Sequence, residues 1–369
     1  MTLTRTDETE LLTQLHEGMH EESRWGTFLN RLRGRTRADY AALIFRQGDA
    51  PIQDATELFS GRNVRAAGRR LQSGDLYSLD PIRYNELRPG RVYTAEEIID
   101  PDDRRHERFR RDYLERIGVR YGRFMRVVEP SGVSAWAILT KETEDFGASD
   151  SALLSALAPH LAIALRNFAS LEQARFRSAV AEDALARVGV GWAAIDRDGR
   201  LIDTSEDFDR QVCAVTGRRP SIGSRLPAGA PDAERALLEA SRAFADDPQA
   251  PARLVRIAGD GEFDLLVTPA RERPLAAPAM PALLAFTRRP TPVSAPRSRL
   301  LARQYGLSAK EAELALALSD GSSLEEASHA LALTTETGRH YSKRLYAKTG
   351  TRRQADLVRL VLGAASSLA

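Results

Sequence analysis

The sequence predicts a multi-domain chain: two α+β sensor-like domains followed by an all-α domain of four short helices. Three observations carry this. The chain has 369 residues, a length that fits about two to three domains. A stretch at 288–298, RRPTPVSAPRS, holds three prolines and little apolar content, which reads as an exposed linker. Beyond it, helix start and stop signals recur at short intervals. The expected boundaries are a first domain at 1–170 and a second at 171–288, entered through a helical linker. A proline-rich linker follows at 289–299, then an output domain at 300–369.

With 43% hydrophobic and 28% charged residues, a mostly disordered chain is excluded. The longest uncharged run, Ser151 to Leu165, is 15 residues and contains Pro159 and His160, too short to span a bilayer. The opening MTLTRTDETE is polar and acidic, unlike a secretory signal. Cys213 is the one cysteine, so there is neither an internal disulfide nor a Cys-based zinc site. These features predict a cytoplasmic protein with no membrane partner and no cofactor.

In the first domain, Leu11, Leu12, Leu15, Met19, Phe28, Leu29 and Leu32 recur on helical turns and predict an amphipathic helix over 7–33. Tyr40 to Phe45 predicts a strand, and Glu107 to Ile117 a helix. Arg120 to Val128 and Val133 to Leu139 predict two strands joined by a turn at Glu129–Gly132. A long helix should start near Ser149. Its Leu154, Leu157, Leu161, Ala164, Phe168 and Leu171 alternate spacings of three and four, a seam able either to pair two chains or to pack on its own domain. Arg175 and Ser178 should break it, and Pro159 should kink the helix or begin a new one.

In the second domain, Val190 to Ile195 and Arg200 to Ile202 predict a hairpin around the Asp196–Gly199 turn. Helices are expected near 205–214 and 232–245, and strands near 252–257, 262–268 and 282–287.

The C-terminal segment carries the charge bias. From Arg297 onward eleven basic residues face seven acidic ones, and within 334–361 the excess is seven against two. Such a bias favours phosphate backbones, although many basic helices are only solvated faces. Ser308/Glu311, Ser323/Glu326 and Thr351/Gln354 have the spacing of capping boxes, and a further start lies at Thr334 or Thr335. Gly321 and Gly350 sit where helices stop. Four helices follow, near 308–319, 323–331, 334–349 and 352–362. On a wheel of the third, Gly338, Tyr341 and Leu345 share one side, while Arg339, His340 and Lys343 face the other with Arg344 on the flank. A helix fits the DNA major groove. Lys348, Arg352 and Arg353 lie at its far end, suited to phosphates.

Residues 307–351 resemble the LuxR/GerE-type helix-turn-helix of bacterial transcription regulators. The matching positions are Leu307, Glu311, Gly321, Glu326, Leu331, Thr337, Arg339, Lys343, Tyr346, Lys348 and Gly350. Gly338 departs from the family's usual valine or alanine, and Tyr341 from its frequent histidine. More loosely, Trp25, Phe28, Leu29, the strand at 40–45, Phe146 and the Leu153–Leu165 stretch are similar to GAF-like domains. The middle segment is similar to PAS domains in its element order and its Asp196–Gly199 turn. The resemblance implies double-stranded DNA, a second copy of the chain, RNA polymerase and an unknown small molecule as partners.

Other motifs have plainer readings. Tyr77-x-x-Asp80-Pro81 and Ile117-Gly118 are similar to elements of acyl-homoserine-lactone receptors. The tryptophan expected after Asp-Pro is missing, and Arg91-Val-Tyr93 occupies its region, so a turn before proline is preferred for Asp80. Tyr77, Asp80, Tyr93 and Trp136 remain the candidate ligand residues. His16-Glu17-x-x-His20 spells a zinc-hydrolase motif, but Gly18 weakens the helix and no third ligand follows nearby. An enzyme is therefore not expected. Gly189-Val-Gly191-Trp-Ala-Ala194 mimics a dinucleotide fingerprint but leads into a strand instead of following one. Neither a phosphoacceptor receiver pattern nor a P-loop is present. A signalling adaptor with a vestigial output domain is the remaining alternative class.

Overall fold

The structure is a computed structural model that describes residues 4, 6, 8–47, 55–62, 80–130, 132–271, 279–288 and 295–364. The chain divides into two compact units, Met1–Phe176 and Arg177–Ala369.

The first unit contains α1 (Thr13–Glu17), α2 (Gly26–Thr36), β1 (Tyr40–Gln47), β2 (Thr56–Gly61), β3 (Val92–Thr94), α3 (Ala95–Ile98), α4 (Arg104–Phe109), β4 (Tyr121–Val128) and β5 (Val133–Lys141). The helix α5 (Ala148–Arg187) starts here and continues into the second unit. The strands form one antiparallel sheet in the order β2-β1-β5-β4-β3. One face packs a large core that includes Leu15, Trp25, Phe28, Leu43, Met125 and Leu157. The other carries a smaller core around Tyr40, Phe124, Trp136 and Ile138.

The single helix expected over 7–33 is broken. After α1 the chain passes through a short 3-10 turn (Gly18–His20), and α2 begins only at Gly26. Trp25 sets the break. Its indole Nε1 donates to Leu15 O at 2.8 Å, its backbone N donates to Gly18 O at 2.8 Å, and its φ of 53° is left-handed. A Cβ at Gly18 would lie 2.6 Å from Trp25 Cδ1, so only glycine admits the indole. His16 therefore lies in α1 and His20 in the 3-10 turn, and no continuous α-helix presents them together. Among the described residues no group of three or more His, Cys, Asp or Glu could hold a metal ion.

The helix expected at 107–117 begins earlier, at Arg104, because the Asp103 carboxylate caps it by accepting from Arg105 N at 2.8 Å. It continues as a π-turn over Arg110–Leu114. β2 and β3 were not foreseen. α5 is one helix with Pro159 inside it, and it extends past Arg175 and Ser178, where the apolar seam stops. It is long and apolar enough to cross a membrane by length and composition. Its buried residues, Leu153, Leu154, Leu157, Leu161, Ala164 and Leu165, belong to the core of the first unit.

The second unit holds β6 (Val190–Asp196), β7 (Leu201–Thr204), α6 (Glu206–Thr216), α7 (Pro231–Asp246), β8 (Arg253–Ala258), β9 (Glu262–Pro269) and β10 (Pro281–Arg288). The sheet order is β7-β6-β10-β9-β8, the same permutation as in the first unit. Its core joins Ile195, Phe208, Leu237, Phe244, Ile257 and Leu265. Gly189 has φ 69° and leads directly into β6, which is not the placement of a dinucleotide loop.

Five helices follow: α8 (Ala295–Tyr305), α9 (Ala309–Ser319), α10 (Leu324–Ala330), α11 (Thr335–Thr349) and α12 (Gln354–Gly363). They share a separate core of Leu301, Leu314, Leu318, Ala327, Leu345 and Leu357. The linker expected at 289–299 is thus helical from Ala295. Pro296 is the second residue of α8, where a missing N–H costs nothing, and Leu301, 1% exposed, ties the helix to the core.

Candidate nucleic-acid interface

The site is built from α9, α10 and α11. α9 and α10 each begin in a complete capping box. Ser308 N donates to Glu311 Oε2 at 2.7 Å and Glu311 N to Ser308 Oγ at 3.3 Å. Ser323 and Glu326 repeat this at 2.8 and 3.2 Å. Thr334 caps α11 by accepting from Thr337 N at 3.1 Å, and Gly350, with φ 68°, ends it.

α11 has two chemically distinct faces. Gly338, Ser342 and Leu345 are buried, and Tyr341 packs on the same core. Arg339, His340 and Lys343 are exposed. The wheel reading of these positions therefore holds, and the neighbour of Gly338 is now identified. A Cβ there would meet Ser328 Oγ of α10 at 1.9 Å.

Glu311 is the anchor of the far half of the helix. Its side chain is fully buried, with Lys348 Nζ at 2.6 Å from Oε2 and Arg344 Nε at 3.1 Å from Oε1. Burial pushes the carboxyl pKa up. Hydrogen bonds from Lys348 and Ser308 and the charges of Lys348 and Arg344 outweigh it and hold the group below its ordinary range. The structure thus engages Arg344 and Lys348 within the domain while leaving their side chains 51% and 32% exposed. Arg352 and Arg353 are exposed just before α12, and Arg353 Nε lies 3.3 Å from Asp356 Oδ1. In the sequence Glu311 stands out as a capping residue and as a position of the family resemblance, not as a charge partner. Its role as an ion-pair hub follows from burial, which the capping pattern does not encode.

The candidate ligand residues of the first unit map to the second face of its sheet. Asp80 Oδ1 accepts from Ile82 N at 3.0 Å, a turn geometry beside Pro81, and Oδ2 accepts from Tyr84 OH at 3.0 Å. Trp136 is 2% exposed, its Nε1 donates to Tyr84 O at 3.3 Å, and Arg46 lies over its ring at 5.8 Å. Tyr93 OH accepts from Arg88 N at 2.9 Å. Burial raises the Asp80 pKa to about 6, opposed by the Ile82 and Tyr84 bonds and the Arg46 charge. Asp80 and Trp136 meet at Tyr84, and Trp136 and Tyr93 belong to one apolar cluster. Tyr77 lies outside the described residues.

No family model and no curated protein matches the chain. Several solved structures are similar at low identity. One is CepR2 from Burkholderia cenocepacia, an N-acylhomoserine-lactone-dependent LuxR family transcription factor. It is 18% identical over 44% of this chain and 93% of that chain, with a TM-score of 0.32. SdiA from Escherichia coli is 11% identical over 97% of each chain, with a TM-score of 0.29. The Vibrio cholerae VqmA dimer, a LuxR-type receptor without its target DNA, is 15% identical over 48% and 83%, with a TM-score of 0.22. Likeness at this level assigns neither ligand nor DNA to this chain.

Proposed function

We propose that this chain is a sequence-specific, DNA-binding transcription regulator that acts as a homodimer. Its output part would be α8–α12, and its two α+β domains, GAF-like at 1–170 and PAS-like at 171–288, would receive the signal. The observation that carries the reading is α11, a helix with one packed face and one exposed face of Arg339, His340 and Lys343. In this reading those three side chains reach base edges in the major groove. Arg352 and Arg353 approach phosphates, and Arg344 and Lys348 do so with the charge left over from Glu311.

The LuxR/GerE-type assignment is supported by the residue match at 307–351 and by α9, α10 and α11 occupying that stretch. The sensor assignment is supported by two five-stranded sheets of the same order. The signal is an unknown small molecule or partner. A ligand at the Asp80 and Trp136 face would have to exchange with the bonds those groups already make to Tyr84 and Ile82.

The test is selection of duplexes from a random-sequence pool by the full-length protein. A dimer should enrich a dyad-symmetric motif with half-sites one helical turn, about 34 Å, apart. Recovery of no motif, with binding that only tracks salt, counts against the reading.

A further inference from the structure

We propose that Gly338 and Ser328 form a size-matched pair that sets the angle of α11, which makes these two packing residues determinants of DNA sequence preference. The inference rests on the DNA-binding reading above and adds to it a cause for which bases are read.

Gly338 is the fourth residue of α11 and is buried. Glycine inside a helix lowers stability relative to alanine, so a packing reason is needed. The reason lies in α10. A Cβ on residue 338 would stand 1.9 Å from Ser328 Oγ and 3.0 Å from Ser328 Cβ. Turning the hydroxyl aside is no remedy. Ser328 is 1% exposed, and its Oγ donates to Leu324 O at 2.6 Å, a bond that rotation would break. The contact between the two Cβ atoms persists in every rotamer. Any side chain at 338 therefore has to separate α10 from α11.

The far half of α11 cannot follow freely. Arg344 and Lys348 hold it to buried Glu311 of α9. The two anchor points are six to ten residues apart, roughly 9–15 Å along the axis at 1.5 Å per residue. Opening the first contact by about 1.5 Å, to ordinary van der Waals distance, with the second pinned tilts the helix by roughly 6–9°. Arg339 adjoins the displaced end and moves with it, whereas Lys343 lies next to the pinned end and moves less. A shift of this size exceeds the roughly 0.5 Å within which a designed binding geometry must be held. The bases read through Arg339 should suffer first.

The experiment is a random-pool DNA selection with four full-length proteins: wild type, Gly338→Ala, Ser328→Gly and the double variant. The base pairs read through Arg339 and Lys343 are assigned beforehand with Arg339→Ala and Lys343→Ala. Circular dichroism and thermal melting establish that each protein is folded. Gly338→Ala is expected to lose about tenfold or more of its discrimination at the Arg339 base pairs. It should keep its preference at the Lys343 base pairs and its salt dependence. The double variant removes both close contacts and is expected to regain the wild-type motif. Folded Gly338→Ala with an unchanged motif, or weaker on all sequences alike, overturns the proposal. So does a folded double variant that keeps the altered motif. If Gly338→Ala alone does not fold, the double variant decides by itself, because any motif other than wild type contradicts size matching. If the wild-type protein selects no motif, the DNA-binding reading fails and this inference falls with it, a result distinct from all the others.

Discussion

Lys348 Nζ lies 2.6 Å from Glu311 Oε2, joining the last turn of α11 to the first turn of α9. Glu311 is fully buried and also closes a capping box with Ser308. One carboxylate thus starts one helix and holds another.

Replacing Glu311 with Gln should therefore destabilise the helical output part. The amide keeps shape but loses the charge-assisted bond from Lys348 and the ion pair with Arg344, a cost of roughly 2–3 kcal/mol. Because Arg344 and Lys348 remain partly exposed, they can be hydrated, which keeps the cost below that of stranding a fully buried charge. Urea unfolding followed by circular dichroism measures it. The folded carboxyl titrates below its ordinary range, so its stabilisation is present above pH 4.5 and is lost as pH falls through the folded value. The Gln variant should lack that acid-side loss.

Asp80 should give the opposite sign. Its pKa is raised from 3.8 to about 6. Its contribution is therefore complete below pH 3.8 and is lost as pH rises through about 6. Asp80→Asn removes the charge and still offers Tyr84 and Ile82 hydrogen-bonding partners. The variant should be more stable than wild type at pH 7.5 by roughly 2–3 kcal/mol, with the difference vanishing near pH 4. Unfolding of the full chain at several pH values measures this, and equal stability at pH 7.5 would show that the carboxylate is not disfavoured there.

The Trp25 break offers a paired test. Gly18→Ala places a methyl 2.6 Å from Trp25 Cδ1 and should cost about 1–3 kcal/mol by overpacking. Gly34→Ala lies within α2, where an added Cβ meets nothing within 4 Å. It should instead stabilise by roughly 0.5–1 kcal/mol through helix preference. Comparing the two melting temperatures separates space from propensity.

Much of this was legible in the sequence because local rules and tertiary packing agreed. The capping pairs Ser308/Glu311 and Ser323/Glu326 and the two-faced pattern of α11 appear as expected. The third pair fails for a tertiary reason. Thr351 Oγ1 lies 2.8 Å from Thr349 Oγ1, and Gln354 Nε2 donates to Leu318 O and Ser322 O, so α12 starts at Gln354 without a side-chain cap. β3 is too short, at three residues, to show an alternating pattern. The end of α1 depends on Trp25 returning to Leu15, a contact no local pattern announces. The Ser328 partner of Gly338 was equally hidden, because only the crossing of α10 and α11 brings together two residues with nine others between them.

The most direct measurement is a binding titration of a selected duplex at several salt concentrations, comparing wild type with Arg339→Ala/Lys343→Ala and with Arg352→Gln. The double variant should lose about 1–3 kcal/mol per base contact and its preference over scrambled sequence. Arg352→Gln should weaken all duplexes alike and reduce the salt slope by about one. A double variant that keeps wild-type affinity and preference would contradict the assignment of α11 as the helix that reads DNA.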